Sequence, residues 1–158
     1  MKEDSFLRIA EEIKNNKRFI VTSHINPEGD AIGSVIALSL ALKALKKDVT
    51  AFINDPIPKV CSFLPGVENI TNNLIQNSFY DVAFILDCGD IDRVGKKFIK
   101  LIDIGKIINI DHHLTNNNFA HISIIDPKSS STGELIYKLL KRLPINIDND
   151  IAINIFAF

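Results

Sequence analysis

The sequence predicts an α/β domain built on a doubly wound, mostly parallel sheet with helices on both faces. Three observations carry that prediction. Short β-branched apolar runs alternate with segments of helical period, as they do when each strand is followed by a covering helix. The runs are apolar at consecutive positions, which suits strands buried on both faces. Three of them end in clusters of carboxylates and imidazoles, at the carboxyl edge where open parallel sheets bind ligands.

The elements follow in order. Residues 5–16 place Phe6, Ile9, Ala10 and Ile13 on one stripe and read as an amphipathic helix. Residues 18–23 (RFIVTS) read as a buried strand. Residues 30–46 form a long helix, with Asp30 available as its N-cap. Val35, Ile36, Leu38, Leu40, Leu42 and Leu45 spread around that helix, so it is expected to be covered on more than one side. The next strand is 48–53 (DVTAFI), followed by turns at Pro56, Pro58 and Pro65-Gly66. Residues 81–86 (DVAFIL) and 106–110 (KIINI) read as central strands, 131–143 as a helix, and 149–158 as the start of another. No repeat or Gly/Ser/Pro-rich linker divides the chain.

At 158 residues the chain is long enough for one domain with a sizeable core and too short for two ordinary ones. Its 46% hydrophobic content and net charge of −1 exclude a disordered chain. The same charge balance argues against duplex DNA or an anionic membrane as partner. The N-terminus mixes charges of both signs through its apolar positions and is no signal peptide. The uncharged stretch 31–42 is well short of the ~20 apolar residues that a membrane span needs. Cys61 and Cys88 form no CxxC pattern and are expected as free, buried thiols, consistent with a cytoplasmic protein.

Function is concentrated at the strand ends. The first strand runs into His24-Ile25-Asn26-Pro27-Glu28-Gly29-Asp30, the second into Asp87-Cys88-Gly89-Asp90, and the third into Asp111-His112-His113. Carboxylates and imidazoles on one rim, with no excess of Lys or Arg, would repel one another unless a cation holds them. Mixed oxygen and nitrogen ligands suit Mn²⁺, Mg²⁺, Fe²⁺, Co²⁺ or Zn²⁺. Pro27 and Gly29 force a turn that can point His24, Glu28 and Asp30 inward. The start of the following helix attracts anions, and Gly33 and Ser34 there offer either close approach and a hydroxyl for a phosphate or simple helix packing.

These residues resemble a known family. HINPEGDAIGS (24–34), ILDCGDIDRVG (85–95) and NIDHHLTN (109–116) resemble the first three motifs of the DHH phosphoesterases. SSSTGELIYKLL (129–140) is similar to the segment that follows the DHH signature in the nanoRNase/pAp-phosphatase branch. The resemblance implies that residues 1–158 are one DHH-type domain with a two-metal site. The ions implied are typically Mn²⁺, with Mg²⁺ or Co²⁺ as alternatives. His24, Glu28 and Asp87 would hold one ion, and Asp30, Asp87 and His112 the other. His113 would face the substrate phosphate, and Asp111 would orient the imidazoles from behind. Arg93 would support the second motif, reach a phosphate or form a surface ion pair.

Two departures stand out. Glu28 occupies a position where the family has Asp, and its extra methylene matters where metal distances tolerate only ~0.2 Å. A fourth motif with a further metal-binding Asp, and the C-terminal DHHA1-type substrate domain, are expected to be absent from these residues. The implied activity is hydrolysis of short oligoribonucleotides, pAp or linear dinucleotides, which makes phosphorylated nucleotides or short single-stranded RNA the partners. An inorganic pyrophosphatase of the same superfamily is the enzymatic rival. A weakly active or non-catalytic metal- or nucleotide-binding domain is the other reading, with the last helix free to pack on a second copy as a homodimer. A plain nucleotide-binding module is disfavoured, because no GxGxxG or GxxxxGK[ST] loop is present.

Overall fold

The computed structural model describes residues 2–158. Its six strands are β1 (Arg18–Thr22), β2 (Asp48–Phe52), β3 (Ile70–Thr71), β4 (Ser78–Leu86), β5 (Ile102–Asp111) and β6 (Ile122–Ile125). They form one sheet in the order β3-β2-β1-β4-β5-β6, and every adjacent pair is parallel. The helices are α1 (Lys2–Asn15), α2 (Gly29–Ala44), α3 (Lys96–Leu101), α4 (Thr132–Leu140) and α5 (Asn149–Phe156).

Alternation along the central strands fills two cores. Phe19, Val21, Val82, Phe84 and Leu86 face α1, α2, α4 and α5. Ile20, Ala83 and Ile85 face the opposite side, where Val94 and Phe98 from the segment after β4 complete a smaller cluster. The Phe19 and Phe84 rings lie 6.1 Å apart across β1 and β4. The two faces are therefore covered unequally, with four helices on one and only α3 and a 3₁₀ turn on the other. Among the described residues no helix is long and apolar enough to cross a membrane. Cys61 and Cys88 are free and buried, as expected.

The strand order reverses direction at β1, whose neighbours are β2 and β4. Such a reversal opens a crevice beyond the carboxyl ends of the strands, because the connections leave to opposite sides. The His24 and Asp87 segments leave the sheet there, since Thr22 pairs with Ile85. The third segment is alongside, since Leu86 pairs with Ile110.

Several details depart from the sequence expectation. Asp30 does not cap its own helix: α2 begins at Gly29, with Glu28 at the N-cap position and no side-chain cap bond. The helix expected over 131–143 ends at Leu140, before the turn that leads to Pro144. The strands expected over 81–86 and 106–110 are longer, because β4 and β5 also pair from Ser78↔Ile102 onward. Edge strands β3 and β6 and helix α3 were not expected at all. Gly33 serves helix packing: a Cβ there would lie 2.3 Å from the Asn154 carbonyl oxygen of α5. Gly133 makes a similar close approach, with Ile155 O only 2.8 Å from its would-be Cβ. The chain thus lays α5 across the first turns of α2 and α4.

Candidate functional site

Each strand end delivers its side chains by a local device. After β1, the buried Ser23 hydroxyl donates to Leu86 O at 2.7 Å and binds the first loop to β4. His24 Nδ1 lies 2.7 Å from Ile25 O, so it carries the proton and Nε2 faces inward, 3.8 Å from Asp87 Oδ2. The Asp87 carboxylate is the main reason that the His24 pKa is raised, against the opposing effect of burial. Asp87 itself adopts φ 53°, a left-handed conformation that costs a non-glycine residue roughly 1 kcal/mol. That turn takes the chain out of β4 while the Asp87 amide still donates to Ile110 O at 2.9 Å.

The β5 end supplies the third group. His112 Nε2 is 3.5 Å from Asp87 Oδ1 and 3.7 Å from Asp30 Oδ2. His113 Nδ1 is 3.7 Å from Asp87 Oδ1 and 2.6 Å from Asp111 Oδ1. Ligand atoms of Asp87, His112 and His113 all lie within 4.8 Å of one another, a group able to hold a metal ion. Among the described residues, no Lys or Arg forms an ion pair with Asp30, Asp87 or Asp111. Burial, and then the charge of Asp87, push the Asp30 carboxyl above the ordinary range. The cluster is thus rich in negative charge, which imidazoles, amides and hydroxyls offset without a Lys or Arg ion pair among the described residues.

Behind the histidines lies a chain of amides. Asn109, fully buried, donates from Nδ2 to Ile85 O and Cys88 O at 2.9 and 3.0 Å. Asn116 Nδ2 donates to Asn109 Oδ1 at 2.8 Å and to Asp111 Oδ2 at 2.6 Å. Asp111 is thereby fixed on one oxygen by Asn116 and on the other by His113. Asp30 is held from α4: the Thr132 amide donates to Oδ2 at 2.8 Å and the Gly133 amide to Oδ1 at 2.9 Å. Sequence reasoning did not assign roles to Asn109, Asn116, Thr132 and Gly133. Ser and Thr at a helix start do signal a cap, but not that the amides behind them serve a carboxylate on another helix.

The remaining expected site residues fall differently. Ser34 is buried, 1% exposed, and its hydroxyl donates to Asp30 Oδ1 at 3.3 Å. The hydroxyl expected to meet a substrate phosphate thus points to Asp30 in this structure. Glu28 is exposed at the head of α2, outside the Asp87–His112–His113 group. Arg93 is exposed, its carbonyl accepts the Ile25 amide at 2.7 Å, and its positive charge opposes that of His24.

The N-terminal domain of the DHH family matches residues 18–157. The chain belongs to the DHH family. One DHH relative, the bifunctional oligoribonuclease and PAP phosphatase NrnA of Thermus thermophilus, is 33% identical over 132 residues. That match spans 84% of this chain and 39% of the relative. The protein of the same name from Bacillus subtilis is 25% identical over 121 residues, or 76% of this chain and 37% of its own length. Among solved structures, an exopolyphosphatase-related protein from Bacteroides fragilis superposes with a TM-score of 0.87 at 28% identity. It covers 98% of this DHH chain and 48% of its own. Exonuclease RecJ bound to manganese shares the fold, with a TM-score of 0.54 at 17% identity, over 98% of this chain and 41% of its own. The chain spans less than half the length of the relatives it matches.

Proposed function

We propose that this chain is the metal-binding catalytic domain of a phosphoesterase that hydrolyses short oligoribonucleotides, pAp or linear dinucleotides with two divalent cations, foremost Mn²⁺. The observation that carries this reading is the convergence on Asp87 of His24 Nε2, 3.8 Å from Oδ2, and His112 Nε2, 3.5 Å from Oδ1 and 3.7 Å from Asp30 Oδ2, at the point where the strand order reverses. The donor chemistry fits such ions, being carboxylate oxygens and imidazole nitrogens with no thiol among them. Names of relatives support the substrate class, and the manganese of RecJ supports the metal.

In this reading His24, Glu28 and Asp87 would hold one ion, and Asp30, Asp87 and His112 the other. Divalent cations held there supply a hydroxide near neutral pH and neutralise charge on phosphorus during in-line displacement. Asp111 engages His113 Nδ1, which fixes the ring and leaves Nε2 for a substrate phosphate oxygen. The His113 side chain is 43% exposed and therefore open to substrate. The exposed Arg93 guanidinium supplies positive charge to a second phosphate oxygen or to the leaving nucleotide.

The test is Mn²⁺-dependent release of mononucleotide from a short oligoribonucleotide, and of phosphate from pAp and from pyrophosphate. A full-length relative assayed alongside sets the scale. The reading predicts release from the oligonucleotide and pAp that EDTA and Asp87→Ala both abolish. Turnover of pyrophosphate alone would favour the pyrophosphatase. Mn²⁺ binding without any turnover would favour a non-catalytic domain.

A further inference from the structure

The first turn of α4 donates to two carboxylates that belong to different elements. The Thr132 and Gly133 amides bind the two oxygens of Asp30, at the head of α2. The Thr132 hydroxyl donates to Asp87 Oδ1, beyond β4, at 2.9 Å. Thr132 is fully buried, so no water competes for these bonds.

The helix does not need these carboxylates for its own cap. Ser131 Oγ accepts the Glu134 amide at 3.1 Å, and Glu134 Oε2 accepts from the Ser130 amide and hydroxyl at 2.7 and 3.0 Å. The amides of residues 132 and 133 are among the donors with no partner inside α4, and Asp30 takes both. Each such bond uses one lone pair and fixes the rotation of the carboxylate, leaving other lone pairs for a cation. Asp87 Oδ1, the oxygen that Thr132 binds, is also the one nearest both imidazoles, 3.5 Å from His112 Nε2 and 3.7 Å from His113 Nδ1.

We infer that Thr132 is a positioning residue of the metal centre: its amide and hydroxyl tie Asp30 to Asp87 and set the site's affinity for a divalent cation. The inference rests on the proposed metal reading and extends it to a residue that does not itself bind metal.

Thr132→Val keeps the shape and the amide and removes only the hydroxyl. Titration calorimetry with MnCl₂, with circular dichroism melts in EDTA, compares it with wild type and with Thr132→Ser. Affinity should fall by about 10- to 100-fold in the valine variant, the usual effect of losing a partner behind a metal ligand, while the melt in EDTA keeps a single cooperative transition. Serine should restore it. Equal affinity in wild type and valine variant would overturn the inference and leave the metal reading standing. A wild type that binds no Mn²⁺ would overturn both. If Thr132→Val does not fold, Thr132→Ala takes its place. Failure of both to fold while serine folds would make the hydroxyl a structural support and overturn the positioning role.

Discussion

The imidazole of His113 is joined to the buried carboxylate of Asp111 by a 2.6 Å contact at Nδ1. Asp111 has no exposure of its own, and its second oxygen accepts from Asn116. The His113 backbone amide also donates to Asp111 Oδ1 at 3.2 Å, so the carboxylate stays fixed while its contact at Nδ1 orients the ring.

Replacing Asp111 by Asn should expose that dependence. The variant keeps the volume, but its amide must set a donor against either His113 Nδ1–H or Asn116 Nδ2–H. In an assay of the proposed oligonucleotide hydrolysis, kcat is expected to fall by about 10- to 100-fold with KM little changed. Wild-type kcat in a folded variant would contradict this.

Glu28 separates two views of the first metal position proposed above. Its side chain is longer than the aspartate that the family resemblance expects, and it stands exposed at the head of α2. Glu28→Asp should tighten Mn²⁺ binding at that position if the extra methylene strains the ligand set. Calorimetry that finds weaker binding would show a site adapted to glutamate.

Gly33 tests the packing beneath the site. A methyl group at residue 33 would press on the Asn154 carbonyl, a backbone atom that cannot swing aside. Gly33→Ala should cost about 1–3 kcal/mol in urea denaturation, the usual range for overpacking. An unchanged midpoint would mean that α5 shifts without cost.

Much of this arrangement was legible from residues 18 to 111, and much of the rest was not. RFIVT, DVAFIL and KIINI announce buried strands by continuous apolarity, and the polar residues after each announce one rim. β3 and β6 are short edge strands with few residues to carry a pattern, and α3 has only six. Asp30 was misread as the cap of its own helix because local rules see only neighbours. Its actual partners, Thr132 and Gly133, lie more than a hundred positions along the chain. Gly33 could be read from sequence either as a phosphate seat or as a packing site, and only the position of α5 decides between them.

Asp81 supplies a pH dependence at the opposite edge of the sheet. Its carboxylate accepts the Arg18 and Lys17 amides at 2.8 and 3.0 Å, and these bonds hold its pKa below the ordinary 3.8. A folded-state pKa below the unfolded one gives stability that is complete above pH 3.8 and lost as pH falls through the folded value. Asp81→Asn should therefore cost about 1 kcal/mol at pH 7, and the gap from wild type should close in strong acid. Urea titrations that show a gap independent of pH would contradict the assignment.

The proposed cation site centres on Asp87, whose two oxygens face His24 on one side and His112 and His113 on the other. Titration calorimetry with MnCl₂ on wild type and on Asp87→Ala measures this most directly. Saturable Mn²⁺ binding is expected for the wild-type chain, and its loss at both positions in the variant, whose fold circular dichroism checks. Identical titrations for the two proteins would contradict it.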